Sequence, residues 1–306
     1  MIYDLAIIGG GPAAVAAGVY AARKKIKTIF ITKDFGGQSV VSEDIQNWIG
    51  TVSISGTKLA ENLKKHLEVY ADEVVKIKVG ELAEKVEKSG ESFFVKTNKG
   101  KYEARTILVA TGSNRRKLNV LGATEFENKG ITYCASCDGP LFSGQDAAVI
   151  GGGNAGFETA SQLLAYCSSV TLLEVTDKFS ADPVTVEKVL KNPKIKTCTG
   201  VTILEIKGKK FVEAIVYQNP DGKKTELPVN GIFVEIGAAP ATDLVKDLIK
   251  LDGGGRIVTD PRNQRTSLTG IWAAGDCTDG LYNQNNIAAG DGVKALEDIY
   301  LFLNTK

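Results

Sequence analysis

The 306 residues carry 37 Lys and Arg against 36 Asp and Glu, a net charge of +1, with 43% hydrophobic and 24% charged residues. That balance excludes whole-chain disorder and a polybasic nucleic-acid surface, and the length predicts two domains whose cores need no disulfide staples. Five cysteines are too few, and odd in number, for a secreted disulfide scaffold, so a cytoplasmic protein is expected.

Ile2–Ile8 is apolar and β-branched apart from Asp4, and reads as a strand. Asp4 also stands where a signal peptide would carry basic residues. Leu5 to Ala22 is uncharged and long enough to suggest a membrane span, but Gly9, Gly10, Gly11 and Pro12 interrupt it. A strand, a glycine turn and an alanine-rich helix to about Lys24 fit better, followed by a strand over Lys27–Thr32. Leu59–Tyr70 has the spacing of an amphipathic helix. His66, the only histidine, lies on it among Lys64, Lys65 and Glu68 and reads as solvated. Ser92–Thr97 and Lys101–Val109 flank Asn98-Lys99-Gly100, a hairpin signal.

The opening pattern recurs 142 positions on. Asp146–Ile150 is a strand, Gly151-Gly152-Gly153-Asn154-Ala155-Gly156 a turn, a helix runs to about Tyr166, and Ser169–Val175 is the next strand. Phe211–Gln218 and Lys224–Val229 flank a second hairpin turn, Gly270–Ala274 is a strand, and Ala288–Leu303 an amphipathic helix. The fold class is therefore α/β, with two Rossmann-like dinucleotide-binding domains built on parallel sheets plus antiparallel crossover hairpins.

Gly9-x-Gly11-x-x-Ala14 and Gly151-x-Gly153-x-x-Gly156 each follow a strand and open a helix. The first glycine allows the tight turn, the second lets backbone approach a pyrophosphate, and the third small residue lets helix and strand pack. Two such matches in the right context point to dinucleotide sites. Glu174 follows Gly151 by 23 residues, where a carboxylate accepts from both ribose hydroxyls of an adenosine and repels a 2′-phosphate. No arginine lies between Gly151 and Ala241, which favours NADH over NADPH. Ala110-Thr111-Gly112 and Gly275-Asp276 end strands with small residues that permit close cofactor approach.

Cys134-Ala135-Ser136-Cys137-Asp138-Gly139 is the chemical centre. Two cysteines at this spacing can close a small disulfide or ligate a metal. A structural zinc needs four ligands, and Cys167, Cys198 and Cys277 are scattered singly, so no metal is expected. Redox exchange is favoured, with Asp138 able to give and take a proton.

The chain resembles the low-molecular-weight thioredoxin reductases over essentially its whole length. The likeness rests on residues 9–14, Gly36-Gly37-Gln38, Asn47-Trp48, residues 110–112, 134–139 and 151–156, and Ala273-Ala274-Gly275-Asp276. Residues 172–174, Ala181-Asp182 and residues 275–278 are most similar to the reductase part of the flavoprotein component of alkyl hydroperoxide reductase. Met1 opens directly on the first strand, so the N-terminal thioredoxin-fold extension of that component is not expected.

The resemblance implies an FAD domain from residues 1–114 and 242–306 and an inserted NAD(P)H domain, 115–241, that carries the redox pair. FAD maps to Gly9, Gly11, Pro12, Ala13, Thr32, Gly36, Gly37, Gln38, Asn47, Thr111, Gly112, Gly275, Asp276 and Gln284. NADH maps to Gly153, Asn154, Ala155, Glu174 and Gly237. Cys137 is the flavin-proximal sulfur, Cys134 attacks the partner and Asp138 is the acid/base. Rotation of the inserted domain about hinges near Arg115 and Ala241 is implied, as is a homodimer. The implied partner is a thioredoxin, a glutaredoxin-like protein or a peroxidase-linked protein disulfide. Neither nucleic acid nor membrane is expected.

Three departures from the family pattern stand out. The His-Arg-Arg and later Arg of NADPH-using relatives read Glu174-Val175-Thr176 and Ser180. The Arg-Gln pair beside the flavin reads Asn283-Gln284, and the Asn-x-Pro-Gly turn reads Asn47-Trp48-Ile49-Gly50. Two alternatives stay open: a ferredoxin-linked relative that uses no nicotinamide, and a flavin-binding redox sensor without turnover.

Overall fold

The computed structural model describes residues 1–42 and 45–305, without the side chains of Val41 and Cys137. The chain divides into two compact units. One is built from residues 1–41, 45–114 and 239 onward; the other has Arg115–Ala238 as its body. The chain leaves the first unit within the short strand Ser113–Arg115 and returns within Ala238–Pro240.

The first unit is organised on a seven-stranded sheet among the described residues. Ile2–Ile8 pairs in parallel with Thr28–Thr32 on one side and Gly100–Val109 on the other, and Val75–Val79 extends the parallel order. Ile271–Ala273 also joins Gly100–Val109 in parallel, while Ala83–Ser89 and Ser92–Thr97 add an antiparallel meander. The strands Ile2–Ile8 and Thr28–Thr32 are buried on both faces, which is why they read as continuous apolar runs rather than alternating ones. Leu5, Ile7 and Phe30 meet Ala14, Ala17 and Ala21 of the helix Pro12–Arg23 and Leu296 and Ile299 of the helix Asn285–Asn304. The other face packs Ala6, Ile8, Ile29 and Ile31 against Val95, Leu244 and Ile249. The two helices touch through Gly292, where a Cβ would sit 2.1 Å from the Ala13 carbonyl oxygen.

The second unit holds a parallel sheet in the order Ile195–Cys198, Ser169–Leu173, Asp146–Ile150, Gly231–Val234, Ile131–Thr132. Phe157, Ala160 and Leu163 recur every third residue on the helix Asn154–Leu163 and seal one face against Val149, Val170 and Leu172. The opposite face is covered by a three-stranded antiparallel sheet, Thr202–Gly208, Val212–Gln218 and Lys224–Pro228, through Ile203, Ile206, Ile215 and Tyr217.

Both units are thus dinucleotide-binding α/β folds, as expected, and both foreseen hairpins pair antiparallel. Several elements were not foreseen: the strands Val75–Val79, Ala83–Ser89, Ile131–Thr132, Ile195–Cys198, Thr202–Gly208 and Gly231–Val234, and the helix Pro183–Leu190. The helix after Gly153 stops at Leu163, three residues short of the expected Tyr166. His66 is exposed beside Tyr70, with ring centroids 5.6 Å apart. Among the described residues no helix is long and apolar enough to cross a membrane.

Candidate functional site

In the first unit a cleft of about 810 Å³ opens over the C-terminal ends of the parallel strands. This is where α/β sheets bind ligands, and the volume lies in the range of small-molecule sites. Gly9 adopts φ +133, and a Cβ there would sit 2.1 Å from the Ala110 carbonyl oxygen of the neighbouring strand. Only glycine allows that turn. Gly11 caps the helix Pro12–Arg23 with φ −79, no side chain caps the helix, and a Cβ at Gly11 would meet nothing within 4 Å. Nothing within the fold therefore requires glycine at position 11. The open space, the uncapped helix end and the size of the cleft fit the pyrophosphate of a dinucleotide.

The two glycines should separate by experiment. Gly11→Ala should weaken binding of a dinucleotide at this turn by roughly tenfold or more, because it fills the cradle. Thermal unfolding of the ligand-free Gly11→Ala protein should move by no more than about 3 °C. Gly9→Ala should instead destabilise the fold itself by on the order of 3 kcal/mol. Dinucleotide titration and melting of the ligand-free proteins check both.

The cleft walls are fixed by hydrogen bonds. Gly36 N donates to Gly10 O at 2.9 Å, and Gln38 Nε2 donates to Ser113 Oγ at 2.9 Å. Thr111 Oγ1 donates to Ala241 O at 2.7 Å. Gly275, at φ +76, ends the strand Ile271–Ala273 between Ala13 and Ala288, where a Cβ would approach both at 3.2–3.3 Å.

The second unit repeats the turn. Gly151 has φ +120, with a Cβ position 2.3 Å from Glu235 O, and Gly156 lies so close to the strand that a Cβ would meet Gly151 O at 1.9 Å. Gly153 starts the helix Asn154–Leu163 without a side-chain cap. Glu174 lies just past the strand Ser169–Leu173 and folds back over this turn. One carboxylate oxygen accepts from Gly152 N, and the other accepts from Thr176 N and Thr176 Oγ1, both at 2.8 Å. Burial pushes its carboxyl up, but the hydrogen bonds from Thr176, Gly152 and Val175 outweigh that and hold it below the usual carboxylate range. Ser180 N and Ala181 N donate to Gly152 O, and Asp182 N donates to Asn154 Oδ1 at 2.7 Å, so residues 180–182 are tied to the glycine turn.

Cys134 is half-buried and disulfide-bonded. It occupies the N-cap of the four-residue helix Ala135–Asp138. The Cys137 side chain lies outside the described residues. Thr132 Oγ1 donates to Asp138 Oδ2 and accepts from Cys134 N at 3.4 Å. Cys167, Cys198 and Cys277 are free thiols. Burial pushes the Cys277 thiol up to about 11 and raises that of Cys167, so neither is ionised at neutral pH.

Residues 3–292 match the pyridine nucleotide-disulphide oxidoreductase family. The chain belongs to that family. Among solved structures, thioredoxin reductase from Streptococcus pyogenes is 34% identical, with a TM-score of 0.89 over 100% of this chain and 99% of that one. The NADH dehydrogenase of Bacillus subtilis is 36% identical over 96% of this chain and 57% of its own length. The F component of alkyl hydroperoxide reductase from Pseudomonas aeruginosa is 38% identical over the same shares. The chain thus spans a little over half the length of these two curated relatives.

In this oxidoreductase-family chain, the first cleft is lined by Gly9, Gly11, Pro12, Ala13, Thr32, Gly36, Gly37, Gln38, Thr111, Gly112, Gly275 and Asp276. Asn47 and Gln284 are not among its lining residues; they bond each other, Asn47 Nδ2 to Gln284 Oε1 at 3.2 Å. Sequence reasoning missed Glu81–Glu84 and Asn285, which do line it. Asn285 accepts from Ser39 Oγ at 2.8 Å, and no motif marked it. In the second unit Ala155 is exposed and Gly237, at φ +93, faces open space. Glu235, also missed, accepts from Thr159 Oγ1 at 2.8 Å beside the glycine turn, and burial raises its carboxyl. Its place just past the apolar strand Gly231–Val234 is the signal that could have found it.

Proposed function

We propose that this chain is a flavin-dependent disulfide reductase that takes electrons from NADH and passes them through Cys134 and Cys137 to a protein disulfide. In this reading residues 1–114 and 242–306 hold FAD, residues 115–241 hold the nicotinamide nucleotide, and two copies form a homodimer. Bound FAD supplies two-electron transfer from nicotinamide to sulfur. The observation that carries the reading is the half-buried, disulfide-bonded Cys134 tied through Thr132 to Asp138, in a chain with two uncapped glycine cradles.

Each residue then has one task. Gly11 and the end of the helix Pro12–Arg23 receive the flavin pyrophosphate. Gly153, with Asn154 and Ala155, receives that of the nicotinamide nucleotide. Glu174 accepts from the adenosine ribose, and its low-lying carboxyl stays charged throughout the neutral range. Reduction of the Cys134–Cys137 disulfide takes up two electrons and two protons and yields two thiols. Cys134, as thiolate, attacks the partner disulfide, and Cys137 releases the partner by closing the ring again. Asp138 carries a proton to and from the sulfurs.

The donor assignment is supported by Glu174, by the absence of arginine from residues 151–241 and by the relative named as an NADH dehydrogenase. The acceptor is a thioredoxin-like or peroxidase-linked protein, supported by the thioredoxin reductase and alkyl hydroperoxide reductase likenesses. Free Cys167, Cys198 and Cys277 suit a reducing, cytoplasmic compartment. The purified protein should carry bound flavin, and anaerobic NADH should bleach it at least about tenfold faster than NADPH. Protein purified without flavin and unable to take it up would overturn the proposal; equal bleaching by the two nucleotides would overturn the donor.

A further inference from the structure

We propose that Thr132 is a positioning residue of the disulfide chemistry, its hydroxyl holding the Asp138 carboxylate in the orientation and charge state from which it exchanges protons with the cysteine pair. This rests on the reading of Asp138 as the proton carrier and adds to it the group that sets its behaviour. Thr132 ends the edge strand Ile131–Thr132, paired in parallel with Phe233, and is 8% exposed. A hydroxyl has a single hydrogen to give, and here it goes to Asp138 Oδ2. The same oxygen accepts from Cys134 N at 3.4 Å. One side-chain oxygen therefore ties the backbone of the disulfide-bonded cysteine to the carboxylate four residues later. Asp138 N donates to Cys134 O at 3.0 Å, closing the turn from the other side.

The chemistry follows from that bond. Two electrons break the sulfur–sulfur bond and leave charge on sulfur. Neutral thiols need two protons; one accompanies the electron pair delivered as hydride by the nicotinamide, and the Asp138 carboxylate takes the other from solvent and passes it to sulfur. A donor aimed at the carboxylate favours its charged form, and so lowers the pH below which Asp138 holds a proton. Without the hydroxyl the half-buried carboxylate loses that donor, and its charged form becomes less favourable. Thr132 thus sets the pH at which Asp138 loads and unloads.

The test reads the reduced protein without turnover. After reduction with dithiothreitol, the rate of Cys134 alkylation by iodoacetamide is followed against pH, with site-resolved mass spectrometry. Asp138 ionisation appears as a step in that profile, absent in Asp138→Asn. Thr132→Val should move the step up by about one pH unit, and Thr132→Ser should leave it in place. If Val disturbs the sheet edge, Thr132→Ala carries the same expectation. A step unmoved by Val and Ala, or moved equally by Ser, overturns the role of Thr132. A profile that Asp138→Asn leaves unchanged overturns the reading of Asp138 itself, and the proposal with it.

Discussion

Cys137→Ser should abolish turnover of a protein disulfide, by at least about a thousandfold, while leaving reduction of the bound flavin by NADH within about twofold of the natural protein. The order of steps in the electron path decides this. In the proposed relay, nicotinamide oxidation uses the glycine cradles and Glu174, none of which involves sulfur. Disulfide turnover needs two sulfurs that can close on one another, and serine cannot form the second bond. Cys134→Ser should lose turnover to the same extent, for a different reason: the attacking thiolate is gone. The two variants separate when a partner disulfide is offered. Cys134 alone, in Cys137→Ser, should capture the partner as a stable mixed disulfide, whereas Cys134→Ser should capture nothing. The free thiols do not confuse the outcome. Cys167 and Cys277 are buried with raised thiol pKa values, and Cys198 lies against Tyr217 OH at 3.6 Å. Anaerobic stopped-flow with NADH, partner-disulfide turnover and non-reducing electrophoresis check the three outcomes. A Cys137→Ser protein that still reduces partner disulfides would break the relay.

The legible parts of the fold are those where local pattern and tertiary role coincide. Ile2–Ile8 and Asp146–Ile150 are buried parallel strands, and a glycine turn punctuates each at its end, so apolar runs and breakers fall together. Ala83–Ser89, with sequence Ala-Glu-Lys-Val-Glu-Lys-Ser, escaped notice because only Val86 is buried and its pairing with Ser92–Thr97 supplies the rest. Ile131–Thr132 is too short to show a period, although Thr132 reaches Asp138. The helix Pro183–Leu190 was missed despite a visible signal, Asp182 before Pro183, whose side chain accepts from Thr185 N. In the site, glycine spacing pointed to turns that the structure builds with positive φ at Gly9 and Gly151. Glycine spacing says nothing of what returns from elsewhere in the chain. Asn285 and Glu81–Glu84 reach the first cleft only because the C-terminal helix and the strand Ala83–Ser89 pack there.

Glu174→Arg should reverse the nucleotide preference, lowering the ratio of kcat/KM for NADH over NADPH by at least about a hundredfold. One loss and two gains combine. A carboxylate that accepts from ribose hydroxyls makes charge-assisted hydrogen bonds worth about 1.5–3 kcal/mol, so removing it weakens NADH by roughly ten- to a hundredfold. The same substitution removes repulsion of a 2′-phosphate and supplies a guanidinium that can grip it. The site adds its own complication. Glu174 also braces the turn, accepting from Gly152 N and from Thr176, and arginine cannot accept. Part of the loss with NADH would therefore come from a loosened glycine turn rather than a missing ribose contact. Glu174→Gln separates the two. Its amide oxygen can keep one of the bracing bonds while the negative charge is gone, so it should gain toward NADPH without the full loss toward NADH. Because the hydrogen bonds to Glu174 hold its carboxyl below the usual range, it remains ionised across neutral pH, and the natural preference should be flat from mildly acidic to mildly alkaline conditions. A nucleotide ratio unchanged in Glu174→Arg would mean that the carboxylate serves only the turn, and that the preference is decided elsewhere in the second unit.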